Sequence, residues 1–372
     1  MTLLENLETE ERSYRLTTKE GWIERVQLPE RVQPSRLTVG QRQALRQVDQ
    51  RRYDAARKVH HANLGPFSTP QIKATLSELV DIVDANRQDG DKLKSSAVID
   101  SLPGVGKTTL ITIFATNFHR LEIELHGERT SKGHERIPVA YISLTGNTTM
   151  RTLNSMLCTF YGHPGAQSGN AQILADRATS CVRECETRVI VIDDVHFLDM
   201  HRRNGREVAN HFKWLATQFP VTFIFVGVGL EQRQLLSEGL TLSDVGLSQT
   251  ARRWTRLELN PFRLETNNDR RTWRSLLLGI ERELCLANAW EGMLADDLSE
   301  YLFVRSTGYF VSLMSLISRG SLRAMRTGEE KLTKELLDEI ENDAASEAAR
   351  QKVEDAFKLG GLKSLAPPKT KA

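Results

Sequence analysis

The sequence contains little cysteine: Cys158, Cys181, Cys185 and Cys285 are the only four in 372 residues. Cys181 and Cys185 are four positions apart on a predicted helix and could face one ligand, but no second pair completes a zinc site. The N-terminal stretch MTLLENLETEERSY lacks the charge-then-apolar order of a secretion signal, so nothing indicates an oxidising compartment. We therefore expect reduced structural thiols in a cytoplasmic protein.

An excess of charge of one sign is also absent. The chain carries 50 basic and 48 acidic residues, a net charge of +2. Any contact with nucleic acid must therefore come from a local basic patch. No apolar run approaches the length of a membrane span, so we expect no membrane partner.

The pattern that is present between residues 69 and 260 alternates short β-branched runs with helical segments. SAVID, VAYISL, RVIVID and VTFIFVG are four such runs, and TRLELN is a candidate fifth. Apolar runs bounded by turns and separated by helices are typical of a parallel sheet. The sequence therefore predicts an α/β nucleotide-binding domain with a parallel five-stranded sheet flanked by helices.

The regions on either side differ in character. Residues 1–68 are predicted to be an N-terminal accessory arm with one charged helix, VGQRQALRQVDQRRYDAARKVHHA, packed on the main domain. In the alternative interpretation the arm docks a partner and Trp22 anchors it. Residues 261–345 predict a small helical lid, and residues 346–372 a C-terminal helix end with a flexible basic tail.

The stretch VIDSLPGVGKTTLI, residues 98–111, has the pattern of a phosphate-binding loop between a strand and a helix. Lys107 would neutralise the β- and γ-phosphates, and the Thr108 hydroxyl would bind magnesium. Ser101 replaces only the first glycine, at the strand exit, where a small residue can serve. The residues expected to hold ATP are Pro103, Gly104, Val105, Gly106, Lys107, Thr108 and Thr109.

The run RVIVIDDVHFL ends an apolar strand in two carboxylates. Asp193 would hold the magnesium ion through water, and Asp194 would orient or activate the attacking water. Asp194 is one methylene shorter than the glutamate common at this position, so we expect slow hydrolysis. In the alternative interpretation the pair only caps the next helix. His196 either senses the nucleotide or faces solvent.

Two arginines, Arg252 and Arg253, precede the fifth strand in SQTARRWTRLELNPF. An arginine offered to the γ-phosphate of a neighbouring subunit stabilises charge that develops in phosphoryl transfer. The alternative is an ordinary basic surface turn.

Taken in this order, these elements resemble the AAA+ ATPases, especially their initiator-like branch, and within it the transposition ATPases of the TniB/TnsC kind. The resemblance covers roughly Thr69 to Glu341. It rests on SLPGVGKTT, VIVIDDVH, FIFVGVG, the arginine pair before LELNPF, and the lid segment STGYFVSLMSLI followed by LTKELLDEI. The lid segment is what favours the transposition group.

The resemblance implies a homo-oligomer, a ring or helical filament, that assembles with ATP and magnesium on double-stranded DNA. Such an assembly recruits a transposase, with a target-selection protein as a further partner, and ATP turnover dismantles it. By motif match, Arg253 or Arg252 would be the trans-acting finger. Two positions depart from the family pattern: Gly227 or Val228 stands where a polar sensor is usual, and Tyr309, Phe310 and Val311 follow the lid glycine Gly308 without an arginine.

Contacts to DNA phosphates require basic or hydroxyl side chains. Two segments, ERTSKGHERIP and TGNTTMRTL, flank the second strand and carry such residues. The candidates are Arg129, Lys132, Arg136, Thr148, Thr149 and Arg151, and the alternative is a pair of solvated loops. Contacts to the backbone alone predict sequence-tolerant, salt-sensitive binding.

Two other functions remain open. An initiator or helicase-loader ATPase would be expected to carry a C-terminal winged helix, for which the residues after the lid are too few. A signalling or defence ATPase that uses the same fold as a switch, without DNA, is compatible with the small net charge.

Overall fold

The computed structural model describes residues 7–89, 92, 94–198, 203–218, 221–230 and 254–358. They contain a parallel five-stranded sheet of β1 (Ser96–Asp100), β2 (Val139–Ser143), β3 (Val189–Asp193), β4 (Thr222–Gly227) and β5 (Trp254–Leu257), in the order β2-β3-β4-β1-β5. The predicted parallel five-stranded sheet is therefore confirmed. β1, β3 and β4 are buried along their whole length, which explains why they are continuous apolar runs.

The chain divides into two compact units, which differ from the predicted domains. The first holds residues 13–28 and 71–260, and thus the sheet. Its helices are α1 (Lys19–Gln27), α4 (Pro70–Ala85), α5 (Lys107–His126), α6 (Met150–Phe160), α7 (Ala171–Glu184) and α8 (Arg203–Gln218), with the first residue of α4 in the other unit. A 3₁₀ turn, Val195–Phe197, follows β3.

The second unit contains residues 1–12, 29–70 and 261–372, of which the structure describes 7–12, 29–70 and 261–358. It is helical: α2 (Val39–Gln43), α3 (Gln47–Ala62), α9 (Asn267–Glu283), a π-helical turn (Met293–Asp297), α10 (Ser299–Ser306), α11 (Phe310–Thr327), α12 (Lys334–Asp338) and α13 (Ala344–Lys358). Its core gathers apolar side chains such as Trp273, Leu277, Leu302 and Leu316. The helical character predicted after residue 261 is confirmed.

The N-terminal region is shared between the two units, because α1 belongs to the sheet unit while α2 and α3 belong to the helical unit. Trp22 on α1 is 0% exposed. The interpretation of Trp22 as an anchor for an external partner is therefore wrong, since a fully buried indole offers no surface for docking.

The single charged helix predicted over residues 39–62 is interrupted. Arg46 is in extended conformation, with φ −60° and ψ 147°, and it separates α2 from α3. On α3, Val48 is 75% exposed, whereas Arg57 and His61 are buried. Arg57 is buried because its guanidinium pairs with Glu330 at 2.7 Å and with Asp54 at 2.8 Å in the same unit. The buried face of α3 thus includes polar residues beside Tyr53 and Ala56, which an apolar periodicity does not reveal.

Among the helices of the described ranges, none has the length and apolar character needed to cross a membrane.

Candidate nucleotide-binding site

The loop between β1 and α5 has the backbone that binding of an anion requires. Gly104 and Gly106 adopt positive φ values of 79° and 94°, a region that favours glycine. α5 begins directly after Gly106, and no side chain caps this end of the helix. Gly106 therefore offers the first backbone N–H groups of this 20-residue helix no side-chain cap, an arrangement that favours an anion.

Ser101, at the head of the loop, has a hydrogen-bonding role that a glycine could not perform. Its side chain is buried, and its Oγ accepts a hydrogen bond of 2.7 Å from the backbone N–H of Leu259. Leu259 follows β5, the neighbour of β1 in the sheet. The serine therefore fixes the exit of β1 to the next strand without altering the anion-binding part of the loop.

Lys107 lies within the loop and donates to the loop's own carbonyl oxygens, at 3.0 Å to Ser101 and 2.7 Å to Leu102. Burial lowers the pKa of the Lys107 ammonium, while the carboxylates of Asp193, Asp100 and Asp194 act in the opposite direction. The amine is held by weak carbonyl acceptors, which phosphate oxygens can replace with stronger charge-assisted bonds. This arrangement fits a nucleotide.

The predicted magnesium ligands Thr108 and Asp193 lie together. The Thr108 hydroxyl donates to Asp193 Oδ2 at 3.4 Å, and Tyr141 on β2 donates its hydroxyl proton to the same oxygen at 2.5 Å. Burial raises the pKa of the Asp193 carboxyl. A hydroxyl and a carboxylate that face each other at the phosphate loop are the hard oxygen donors that Mg²⁺ prefers, so the residues fit the ion. Bound there, Mg²⁺ would neutralise charge on the β- and γ-phosphates.

Asp194 has a left-handed backbone, φ 58° and ψ 31°, which aspartate tolerates better than most residues. Its carboxylate is 41% exposed and accepts a hydrogen bond of 2.7 Å from Ser143 Oγ at the end of β2. Asp194 does not cap the 3₁₀ turn that follows, since no side-chain cap bond is formed there. Asp193 and Asp194 therefore point to different partners, as different roles require.

His196 is next to this pair. Its Nδ1 lies 4.0 Å from Asp194 Oδ1, and this nitrogen is buried without a hydrogen-bond partner. The imidazole ring packs against Phe197, with a centroid distance of 4.5 Å. His196 is therefore close to the candidate catalytic carboxylate, and it is not a fully solvent-facing residue.

The two departures from the family pattern have distinct surroundings. At Gly227, the end of β4, an added Cβ would lie 2.6 Å from Leu230 Cδ2 and 3.2 Å from the His196 amide nitrogen. Any side chain at this position would therefore require Leu230 to move. Val311, three residues after Gly308, is 53% exposed near the start of α11 in the helical unit. It presents no cationic group.

Arg252 and Arg253, the candidate trans-acting arginines, lie outside the described residues. The next arginine, Arg256 on β5, forms ion pairs with carboxylates of its own unit. Its guanidinium lies 3.2 Å from Asp100 Oδ2 and 3.1 Å from Glu258 Oε1. Asp100 also accepts the Leu230 backbone N–H at 2.9 Å, so it holds the ends of β1 and β4 together.

The first basic segment forms a compact turn between α5 and β2. Arg129 and Glu135 form an antiparallel bridge, and Lys132 and its neighbours at the tip are exposed. Arg136 is different: its side chain is 12% exposed, it pairs with Glu186, and it donates to the carbonyls of Gly127 and Arg129. Arg129 and Lys132 are thus presented to solvent, whereas Arg136 holds the turn.

In the second basic segment, after β2, most of the polar side chains form hydrogen bonds with nearby backbone groups. The buried Thr148 hydroxyl donates to the Thr145 carbonyl at 2.8 Å, and Thr149 caps α6 by accepting from Thr152 N. Arg151 is exposed, but it donates to the carbonyls of Gly169 and Gln167 at 3.0 Å each. These side chains stabilise the turn and helix start.

Two site residues escaped prediction, Tyr141 and Ser143, both on β2. Alternate positions on a strand face the same side, and Ser143 is in register with Asp193. A polar residue at the carboxyl end of a predicted strand is a usable signal. However, only the strand order shows that β2 is next to β3.

Comparisons with known proteins agree with this geometry. Residues 88–236 match a family described as an AAA domain. The fold is similar to that of the ORC1 protein of Aeropyrum pernix in complex with DNA, at 17% identity and a TM-score of 0.55, over 82% of this chain and 72% of that one. It is also similar to the ORC2 protein of Aeropyrum pernix in ADPNP–ADP complexes, at 14% identity and a TM-score of 0.56, over 82% and 75% of the two chains. Among curated proteins nothing matches.

Residues 88–236 thus match an AAA domain within an AAA+ P-loop fold, and the chain is an ATPase that binds ATP with magnesium. At identities below 20%, the likeness to the solved structures shows the fold alone.

Proposed function

We propose that this protein is an ATP-controlled switch that assembles on DNA and regulates transposition. In the ATP-bound state it oligomerises on target DNA and recruits a transposase, and slow hydrolysis dismantles the assembly. One observation carries the proposal: the groups proposed to bind the nucleotide lie together at the start of α5, while Gly227 and Val311 stand where polar or cationic groups usually assist hydrolysis.

Tight binding is supported by the phosphate loop. Gly104 and Gly106 turn the backbone, the start of α5 offers uncapped N–H groups, and Lys107 is already inside the loop. Thr108 and Asp193 form the proposed magnesium site. These groups hold the phosphates through charge-assisted and backbone hydrogen bonds, which favours a stable ATP complex.

Slow hydrolysis is supported by the same region. Gly227 provides no polar sensor group and is crowded by Leu230, and Val311 carries no charge. Asp194, the proposed group that orients water, is short and already accepts a hydrogen bond from Ser143. The proposed trans-acting arginine, Arg253 or Arg252, would complete the site only in an oligomer, which couples hydrolysis to assembly.

Binding to DNA is supported by the turn between α5 and β2. Arg129 and Lys132 are exposed there, and Arg136 holds the turn by pairing with Glu186 and donating to the Gly127 carbonyl. We propose that Arg129 and Lys132 contact phosphates of the DNA backbone and that Arg136, Thr148, Thr149 and Arg151 contribute by shaping the two segments. Such contacts carry no sequence information.

The role in transposition is supported by the resemblance of the lid segment STGYFVSLMSLI to the TniB/TnsC group. Gly308 in this segment has φ 78°, and a Cβ there would lie 2.3 Å from the Phe262 carbonyl oxygen. A glycine is thus required at this point of the segment. The partners proposed on this basis are a transposase and a target-selection protein.

A second candidate function is an initiator-like ATPase in replication. The observation that favours it is the likeness in fold to the ORC1 protein of Aeropyrum pernix, which was solved in complex with DNA. The two candidates share ATP-dependent DNA binding and differ in the partner recruited.

The first experiment is electron microscopy of the full chain with linear duplex DNA and a non-hydrolysable ATP analogue. We expect rings or filaments on DNA that are absent with ADP. Nucleotide binding without any association with DNA would contradict the proposal and favour a switch that acts without DNA.

A second experiment separates the two candidates. The assembled complex is incubated with an integrase-like transposase, or with a replicative helicase as the matched control, and co-sedimentation is measured. Capture of the transposase alone supports the transposition role, whereas capture of the helicase alone supports the initiator-like role.

A further inference from the structure

We propose that Tyr141 is a positioning residue for Asp193 and that Trp22 of the N-terminal helix α1 holds Tyr141 in place. The inference rests on the proposed assignment of Thr108 and Asp193 to the magnesium ion. It extends the nucleotide site to α1, which the sequence places almost eighty residues before the phosphate loop.

The Asp193 carboxylate is held from three sides. Oδ2 accepts the hydroxyl protons of Tyr141 at 2.5 Å and Thr108 at 3.4 Å, while Oδ1 accepts the backbone N–H of Asp194 at 2.8 Å. Of these donors, only Tyr141 is neither a proposed magnesium ligand nor a neighbour in sequence. Its hydroxyl therefore fixes the rotation of the carboxylate independently of the ion.

Tyr141 itself has little freedom. It is 2% exposed on β2, and its ring stacks on the indole of Trp22 with centroids 6.2 Å apart and planes 19° apart. Both rings are buried, so a rotation of Tyr141 would require Trp22 to move. A buried aromatic pair of this kind is worth more than the burial of its area alone.

Trp22 is fixed in turn by α5, the helix that follows the phosphate loop. Its Nε1–H donates to Nδ1 of the buried His119 at 3.0 Å. Burial lowers the pKa of His119 to about 4, so the ring is neutral near pH 7 and Nδ1 can accept this proton. The ring proton of His119 therefore lies on Nε2.

Further contacts tie α1 to the same unit. Lys19 at its start pairs with Glu135 at 2.8 Å, and Arg120 on α5 donates to the carbonyls of Val26 and Leu28 at 2.8 and 2.9 Å. α1 is thus attached at both ends, with Trp22 between them. A path of direct contacts runs from α1 through Trp22 and Tyr141 to Asp193.

The test compares Y141F with Y161F in the full chain. Tyr161 is a matched control because it is buried in the same unit and loses one hydrogen bond of 2.7 Å, to Thr187. ADP affinity is measured by calorimetry in EDTA and across a Mg²⁺ titration. For Y141F we expect the half-saturating Mg²⁺ concentration to rise about threefold to tenfold, with the affinity in EDTA within twofold of the parent. Y161F should change neither.

An unchanged or lower Mg²⁺ requirement in Y141F would overturn the inference, as would an equal loss of affinity with and without Mg²⁺. D193N is measured alongside to separate two kinds of failure. If D193N keeps the parent's Mg²⁺ dependence, the assignment of the ion to Asp193 fails. If D193N loses that dependence and Y141F keeps it, only the role of Tyr141 fails.

The role of Trp22 is tested by W22F and W22L, alone and combined with Y141F. If Trp22 acts through Tyr141, the single variants raise the Mg²⁺ requirement about twofold to fivefold, and they add nothing in the Y141F background. Additive effects would overturn this part. W22F keeps a buried aromatic ring, so it provides the comparison if W22L does not fold.

Discussion

The phosphate loop and the basic segments that flank β2 were both predicted as binding sites, but they differ in how many of their polar groups are available to a ligand. In the loop, two glycines with positive φ, an uncapped helix start and the Thr108–Asp193 contact lie together. In the basic segments, Arg136, Thr148, Thr149 and Arg151 already use their polar atoms within the fold. The exposed Arg129 donates one long bond, 3.4 Å to the Gly133 carbonyl, and Lys132 is exposed.

The difference has a physical cause. A phosphate loop binds mainly through backbone N–H groups whose directions follow from glycine positions and the start of a helix. A basic surface binds through long side chains, and a guanidinium satisfies any acceptor within reach, including its own backbone. A motif therefore predicts the loop well, whereas composition overstates the number of free cations.

The largest effect is expected for K107A. Removing the ammonium removes charge-assisted bonds to two phosphates, worth about 3 kcal/mol together, so the Kd for ATP should rise about 150-fold. Titration calorimetry measures it, with K73A on α4 as the control for loss of one exposed lysine. ATP binding by K107A within a few-fold of the parent would show that the loop does not depend on its lysine.

D194N is expected to lower the rate of ATP hydrolysis about as strongly as K107A lowers ATP affinity. If Asp194 orients or activates the attacking water, single-turnover hydrolysis should fall about 100-fold while the Kd for ATP stays within about twofold. S143A removes only the hydrogen bond to Asp194 and should have a smaller effect. Equal hydrolysis by D194N and the parent would leave Asp194 with no part in the chemistry.

The next largest effect is expected on the salt dependence of DNA binding, from the exposed basic turn between α5 and β2. R129A/K132A should reduce the dependence of log K for DNA on log salt by about 2, since each lost phosphate contact contributes about 0.9. K58Q/K73Q changes the net charge equally at exposed positions elsewhere and should leave the slope unchanged. An unchanged slope in R129A/K132A would move the DNA interface away from this turn.

R136A tests whether Arg136 stabilises the same turn. The guanidinium pairs with Glu186 and donates to two backbone carbonyls, so its loss should lower the free energy of unfolding by about 1–2 kcal/mol. The salt slope for DNA should change by less than in R129A/K132A. Chemical denaturation measures the free energy of unfolding, and a salt titration measures the slope for DNA binding. If R136A unfolds like the parent but has a reduced salt slope, Arg136 contacts DNA and does not stabilise the turn.

The smallest effect is expected at Gly227. G227S would place a Cβ against Leu230 and the His196 amide, costing about 1 kcal/mol of stability without restoring a sensor. Hydrolysis should remain as slow as in the parent. Faster hydrolysis by G227S would mean that the missing polar group limits the rate and that the end of β4 can accept it.

The sequence by itself determined the fold class, the phosphate loop and the carboxylate pair after β3. These depend on local patterns: continuous apolar runs for buried parallel strands, glycines for positive φ, and acids at a strand end. The interruption at Arg46 and the polar residues on the buried face of α3 escaped it, because one partner of the buried Arg57 is Glu330, far along the chain.

Only the tertiary structure decided which side chains support the site. Tyr141, Ser143 and Trp22 come next to Asp193 and Asp194 through the pairing of β2 with β3 and the packing of α1 on α5 and β2. It also decided which cations stay exposed. Contacts between residues distant in sequence carry no local pattern, so hydrogen-bond partners, rather than residue types, assign these roles.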